Sequence, residues 1–203
     1  MYHQIIINME NNELQATESM DIINKMINSA KSKLADDGLL IIFWGWLVTG
    51  SALIHYTTLK LNINHGELVW AILMPLGGIF SAIYGRKQDK KKIVKTYVDS
   101  YLSYVWGAFG IALVITLFCG SQYGIKPTYF CLMILYGFVT FVSGGLLGFK
   151  PLVYGSLISF ACAIIAIFLN ETDQLLIISV ALLGSYIVPG HLLRSKFKSQ
   201  QHV

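Results

Sequence analysis

The sequence predicts an all-α, polytopic transmembrane bundle of six spans, arranged as three helical hairpins and preceded by a cytoplasmic amphipathic helix. Three observations lead there. Hydrophobic residues make up 55% of the 203 residues and charged residues only 13%, about half the charge of an ordinary soluble domain. Six long stretches contain no Lys, Arg, Asp or Glu. The basic residues gather beside alternate ends of those stretches and at the C-terminus. A soluble fold of this composition would expose large apolar patches, which a bilayer solvates instead.

The chain opens on a polar segment, residues 1–37. From Glu13 to Leu34 the pattern is helical, with Met20, Ile23, Ile27, Ala30 and Leu34 recurring at steps of three and four. Asn12 and Gln15 have the spacing of a capping box. Asp36-Asp37-Gly38 breaks the helix before the first apolar run. From Glu13 to Asp37 five acids face three lysines, a poor match for an anionic leaflet. This helix is expected to pack on the bundle, on the chain's own cationic loop, or on a partner.

The six spans are expected at Leu39 to Leu59, Leu68 to Gly85, Tyr101 to Ile125, Pro127 to Phe149, Leu152 to Leu169, and Leu175 to Leu193. A helix needs about 20 apolar residues to cross a hydrocarbon core about 30 Å thick. Lipid offers no hydrogen bonds, so each span must be helical. The transmembrane domain therefore covers residues 38–194, with a tail at 195–203. No small-residue cleavage site follows the first run, so it is expected to stay as a span.

Orientation follows from the basic residues. Arg86, Lys87, Lys90, Lys91, Lys92 and Lys95 crowd the second connection, which is therefore expected in the cytoplasm. Both termini then lie inside, and only Lys60 and Lys126 fall outside, with Glu67, Glu171 and Asp173. Trp44, Trp46, Tyr101, Tyr104, Trp106 and Tyr154 mark one interface; Tyr56, Trp70, Tyr123 and Tyr129 mark the other. Outgoing spans open on Trp44-Gly45, Trp106-Gly107 and Tyr154-Gly155, and returning spans end in small residues followed by a cation, the mark of a hairpin repeated three times.

Chemistry is sparse. No Asp, Glu, Lys or Arg sits at mid-span, which disfavours proton-coupled carriers and voltage sensors. There is no nucleophile with a base and an orienting acid, no H-E-x-x-H, no P-loop and no G-x-S-x-G. No enzyme and no cofactor are expected. The net charge of +4 is spread between spans, so nucleic acid is not an expected partner. Cys119, Cys131 and Cys162 lie in apolar runs without C-x-x-C spacing and are expected as small buried residues. Cys119 and Cys131 also lie at the facing ends of consecutive spans, where a disulfide is geometrically conceivable.

Three candidate sites remain. His55, His65 and Glu67 together would form a metal or proton site at the outer face. Gly77, Gly144 and Gly148, with Ser81, Gly85, Gly155 and Ser159, have the spacing of helix-packing positions, within the chain or between copies of it. Pro75 before Gly77-Gly78, and Pro189 in the last span, are expected to kink their helices. Polar lining candidates are Thr49, Ser51, Thr116, Tyr136, Thr140, Ser143, Ser156, Ser159, Ser179 and Tyr186, many of them able to bond to their own backbone.

Lys33-Leu34-Ala35-Asp36-Asp37-Gly38, Trp44-Gly45-Trp46-Leu47, Met74-Pro75-Leu76-Gly77-Gly78, Lys95-Thr96-Tyr97-Val98-Asp99, Ser143-Gly144-Gly145 and Tyr186-Ile187-Val188-Pro189-Gly190 stand in an order that resembles small six-helix inner-membrane proteins of Bacteroidetes-type bacteria. The resemblance covers the chain from about Glu18. It implies the topology and a bacterial inner-membrane location, and brings no activity or active site with it. The expected role is a non-enzymatic accessory or regulatory membrane component, engaging a protein partner through residues 13–34 and 86–95. The alternative is a small permease or channel for a neutral or weakly polar solute.

Overall fold

The computed structural model describes residues 19–24, 38–90 and 97–200. Among them there is no strand. The amphipathic helix expected over 13–34 lies outside the described residues except for 19–24, which are helical with Met20, Ile22 and Ile23 exposed. The cationic residues Lys91, Lys92 and Lys95 lie outside them too.

The helices are α1 (Gly38–Lys60), α2 (Leu68–Asp89), α3 (Tyr97–Tyr123), α4 (Ile125–Leu146), α5 (Lys150–Ala166), α6 (Glu171–Leu182) and α7 (Val188–Gln200). A π turn, Leu183–Ile187, joins α6 to α7, and helix runs unbroken from Glu171 to Lys196. Five helices are long and apolar enough to cross a membrane: α1, α2, α3, α4 and the joined α6–α7. With 17 residues α5 is shorter, about 26 Å at the α-helical rise. Its chain tightens rather than ends there. The amides of Ile167, Phe168 and Leu169 reach back three residues, to Ile164, Ile165 and Ala166.

The connections explain the reversals of direction. Between α1 and α2 the turn holds Asn62 and His65 at positive φ. One residue, Gly124 at φ 97°, separates α3 from α4, a conformation open chiefly to glycine. The α4 terminus is a Schellman motif: Phe149 N–H donates to Gly144 O, Gly148 N–H donates to Gly145 O, and Gly148 takes φ 59°. Gly148 therefore ends α4 and turns the chain. A Cβ on it would meet no atom within 4 Å, so among the described residues it makes no packing contact.

The π turn follows from Pro189. Proline has no N–H for the Ser185 carbonyl, and its ring would clash with that carbonyl in a regular helix. The helix widens instead, and Val188 N–H bonds to Leu183 O, five residues back. Pro189 is fully buried. Thus the kink expected at Pro189 is a local widening. Pro75 sits inside α2, which continues through it.

Helices α1, α4 and α6–α7 form the centre, with 50%, 44% and 56% of their most apolar windows buried. The corresponding figures for α2 and α3 are 6% and 0%, which puts both on the rim. Glycines set the central contacts. A methyl group on Gly45 would lie 2.7 Å from Ile187 Cγ1, and one on Gly190 2.7 Å from Ile42 Cγ1, so α1 runs antiparallel against the π turn and α7. One on Gly155 would strike Gly184 O at 2.6 Å, joining α5 to the π turn. Gly144 does the same for α4 against Leu152 and Val153 of α5. Lipid is as apolar as these side chains, so close backbone approach rather than water exclusion holds such helices together. On the rim, α2 packs against α1 through Gly77 on Leu47 and Trp44, while α3 packs along α4. A Cβ on Gly78 or Gly85 would meet no atom within 4 Å, so neither is a packing position among the described residues.

Candidate functional site

His55 lies on α1 near its turn with α2 and is 5% exposed. Trp70, at the start of α2, donates its indole N–H to His55 Nδ1 at 3.0 Å. Tyr129, at the start of α4, brings its hydroxyl to 3.5 Å of the same nitrogen. An indole nitrogen only donates, so Nδ1 is an acceptor and neutral His55 carries its proton on Nε2. Gly66 lets the loop close over this group, since a Cβ there would collide with Thr58 and touch His55. The result is a clamp joining α1, α2 and α4.

The structure does not gather His55, His65 and Glu67 into one metal-ligand group. His65 and Glu67 do meet, at 3.7 Å, but both are exposed. His55 turns inward to Trp70 and Tyr129, and no group of three His, Cys, Asp or Glu that could hold a metal occurs among the described residues. At the other end of the bundle His191 Nδ1 lies 2.9 Å from Ile187 O. It donates to a carbonyl one turn back in its own helix.

No protein family matches this chain, nor does any curated protein or solved structure. The functional reading therefore rests on the geometry of the chain itself.

The bundle interior sorts its hydroxyls into two sets. Ser51, Thr128, Thr140, Ser156, Ser179 and Ser185 donate to carbonyls three or four residues back, and Ser159 donates across to Met133 O of α4 at 2.9 Å. These behave as helix hydroxyls do when no better partner is at hand. Thr49 Oγ1, Ser143 Oγ and the Tyr186 hydroxyl, though equally buried, have no hydrogen-bond partner among the described residues. Gln174 is intermediate: its Nε2 donates to Ala166 O at 2.8 Å, tying α6 to the end of α5, while its Oε1 is unbonded. A line of rings crosses the bundle beside Tyr186, from Trp106 and Phe109 of α3 through Tyr136 of α4, with centroids 5.7 Å apart at each step.

The cysteines are free. Cys119 and Cys131 are exposed and line one groove of about 320 Å³ between α3 and α4, with Thr116 and Tyr123. They are not the buried residues the sequence suggested; Cys162 is. A second groove on the same helices, about 370 Å³, is walled by Tyr104, Phe109, Leu135 and Phe138. Its lining is apolar, as a lipid-facing furrow requires.

Proposed function

We propose that the chain is a six-span inner-membrane protein of three hairpins, with residues 1–37 and the tail 195–203 in the cytoplasm, acting as a non-enzymatic accessory or regulatory component. Support for the hairpins comes from the packing of α1 on α2, α3 on α4 and α5 on α6. Support for the sidedness comes from charge. Lys196 lies over the Phe149 ring at the α4–α5 turn, so the cations of α7 share one end with Lys150, while Glu67, Glu171 and Asp173 flank turns at the other. That distribution is the one expected when the basic end faces the cytoplasm.

The observation that carries the accessory role is the position of α2 and α3. Both are rim helices with almost no buried length, and they are joined by the cationic stretch from Arg86 to Lys95. A partner thus has two apolar helix flanks in the membrane and a basic connection beside them. Affinity capture from cells in mild detergent tests the proposal, using the intact chain, a chain lacking residues 1–36, and one with Arg86, Lys87 and Lys90 changed to Gln. A defined set of proteins bound by the intact chain and lost from the altered ones is the expected result. Equal recovery by all three overturns both docking elements.

A second reading, a small permease for a neutral solute, is favoured by the unbonded polar atoms of Thr49, Ser143, Gln174 and Tyr186 inside the bundle. It is tested by stopped-flow light scattering of reconstituted vesicles challenged with glycerol or urea. Rates equal to those of protein-free vesicles exclude it.

A further inference from the structure

We infer that Thr49 of α1 and Tyr186 of the π turn form a buried site for one small uncharged molecule that both donates and accepts hydrogen bonds. The inference needs neither transport nor a protein partner, so it stands apart from both readings above.

The backbone register carries the two hydroxyls towards one layer. Gly45 of α1 packs against Tyr186, where a methyl group would lie 3.0 Å from Tyr186 Cβ, and Gly190 packs against Ile42 one turn away. The two segments are therefore antiparallel, and the next turn along α1, at Thr49, faces the turn before Tyr186. A helical tyrosine ring leans back over the preceding turn of its own helix. Tyr186 accordingly carries its hydroxyl towards the level of Thr49. Tyr136 closes the layer on the α4 side, edge to face with Tyr186 at 5.7 Å.

Both groups are at least nine-tenths buried, at 3% and 2% exposure. Neither is bonded to the other or to anything else among the described residues. Buried hydroxyls without partners are costly, and the great majority in folded proteins are satisfied by protein or by ordered water. Thr49 makes the point sharply. Ser51, two residues on, bonds back to Leu47 O, as Thr49 could bond to Gly45 O by rotating about one torsion. It makes no such bond.

The ligand's class follows from the walls. No Lys, Arg, Asp or Glu lies in α1 between Gly38 and Leu59, or between Leu175 and Leu193, so a charged ligand would be left unpaired in low dielectric. Two hydroxyls, each able to give or take a hydrogen bond, suit a neutral molecule with both capacities. Water and a small polar solute such as urea share that chemistry.

The test uses the full chain in nanodiscs and the near-isosteric variants Thr49→Val, Tyr186→Phe and their combination. Thermal unfolding is followed alone and with urea at non-denaturing concentration, formamide or glycerol. If a bridging molecule satisfies both hydroxyls, each single variant melts on the order of 2–4 °C lower. The combined variant then falls no further than either one, because one molecule serves both groups. A rise in the wild-type midpoint with one solute, absent from the variants, identifies that solute as ligand; no rise identifies water. Variants that melt at or above the wild-type temperature overturn the site, since removing a hydroxyl that lacks any partner is neutral or stabilising. Additive losses overturn it as well, because they place each hydroxyl on a partner of its own.

Discussion

At the scale of single residues, His55 ties three helices together. Its Nδ1 takes the Trp70 N–H at 3.0 Å, and the side chain is buried. Trp70→Phe keeps most of the ring volume and removes the donor, so it should lower stability by about 1–2 kcal/mol, read as the midpoint of thermal unfolding in detergent. His55→Phe should cost a similar amount, and the double variant should fall short of the sum. Additive losses would show that the two side chains do not act as a pair. The sequence makes His55 conspicuous as an ionisable residue within a span, but groups it with His65 and Glu67 because those lie close along the chain. Its actual partners are 15 and 74 residues away. No periodicity encodes such pairings, which depend on three helix ends meeting.

At the scale of elements the glycines divide into three kinds that one spacing rule cannot separate. Gly148 is a terminator at φ 59°; Gly148→Ala should cost about 1–2 kcal/mol, the penalty of a left-handed backbone for a residue with Cβ. Gly45 is a contact glycine. Gly45→Leu would drive a side chain into Ile187 and Tyr186, with an expected loss of about 1–3 kcal/mol or more from overpacking. Gly78 is open, so Gly78→Leu should leave the monomer's stability unchanged or raise it by up to about 1 kcal/mol. One series of melts on the three variants checks the ranking, and a large loss at Gly78 would mean that α2 meets a neighbour absent from the chain itself. The apolar stretches were legible in advance because hydrocarbon imposes a local rule on composition and length. The π turn was not. Pro189 is visible in the sequence, but whether a buried proline kinks a helix or widens it depends on the α5 backbone pressed against it at Gly155.

At the scale of the whole molecule, the division into centre and rim could not be read from the sequence. Apolar residues face lipid on α2 and α3 and face protein on α1, α4 and α6, and the two surroundings select the same side chains. Only small residues in register distinguish them, and those occur on rim helices as well. Charge placement is more legible, because it acts through the membrane's two sides rather than through packing. It yields the prediction that bears on the entire architecture. Reporter enzymes active only outside the cytoplasm should work when fused after Ser121 or Asn170, and fail when fused after Lys90 or Lys198. Changing Arg86, Lys87, Lys90, Lys91, Lys92 and Lys95 together to Asn removes the largest cluster of cations and should weaken that contrast. It should not abolish it, because Lys25, Lys31 and Lys33, Lys150, and Arg194, Lys196 and Lys198 remain to hold the same side. A reporter that works after Ser121 but stays inactive after Asn170 would mean that α5, at 17 residues, fails to cross. The six-span arrangement would then give way to five crossings, with the termini on opposite sides.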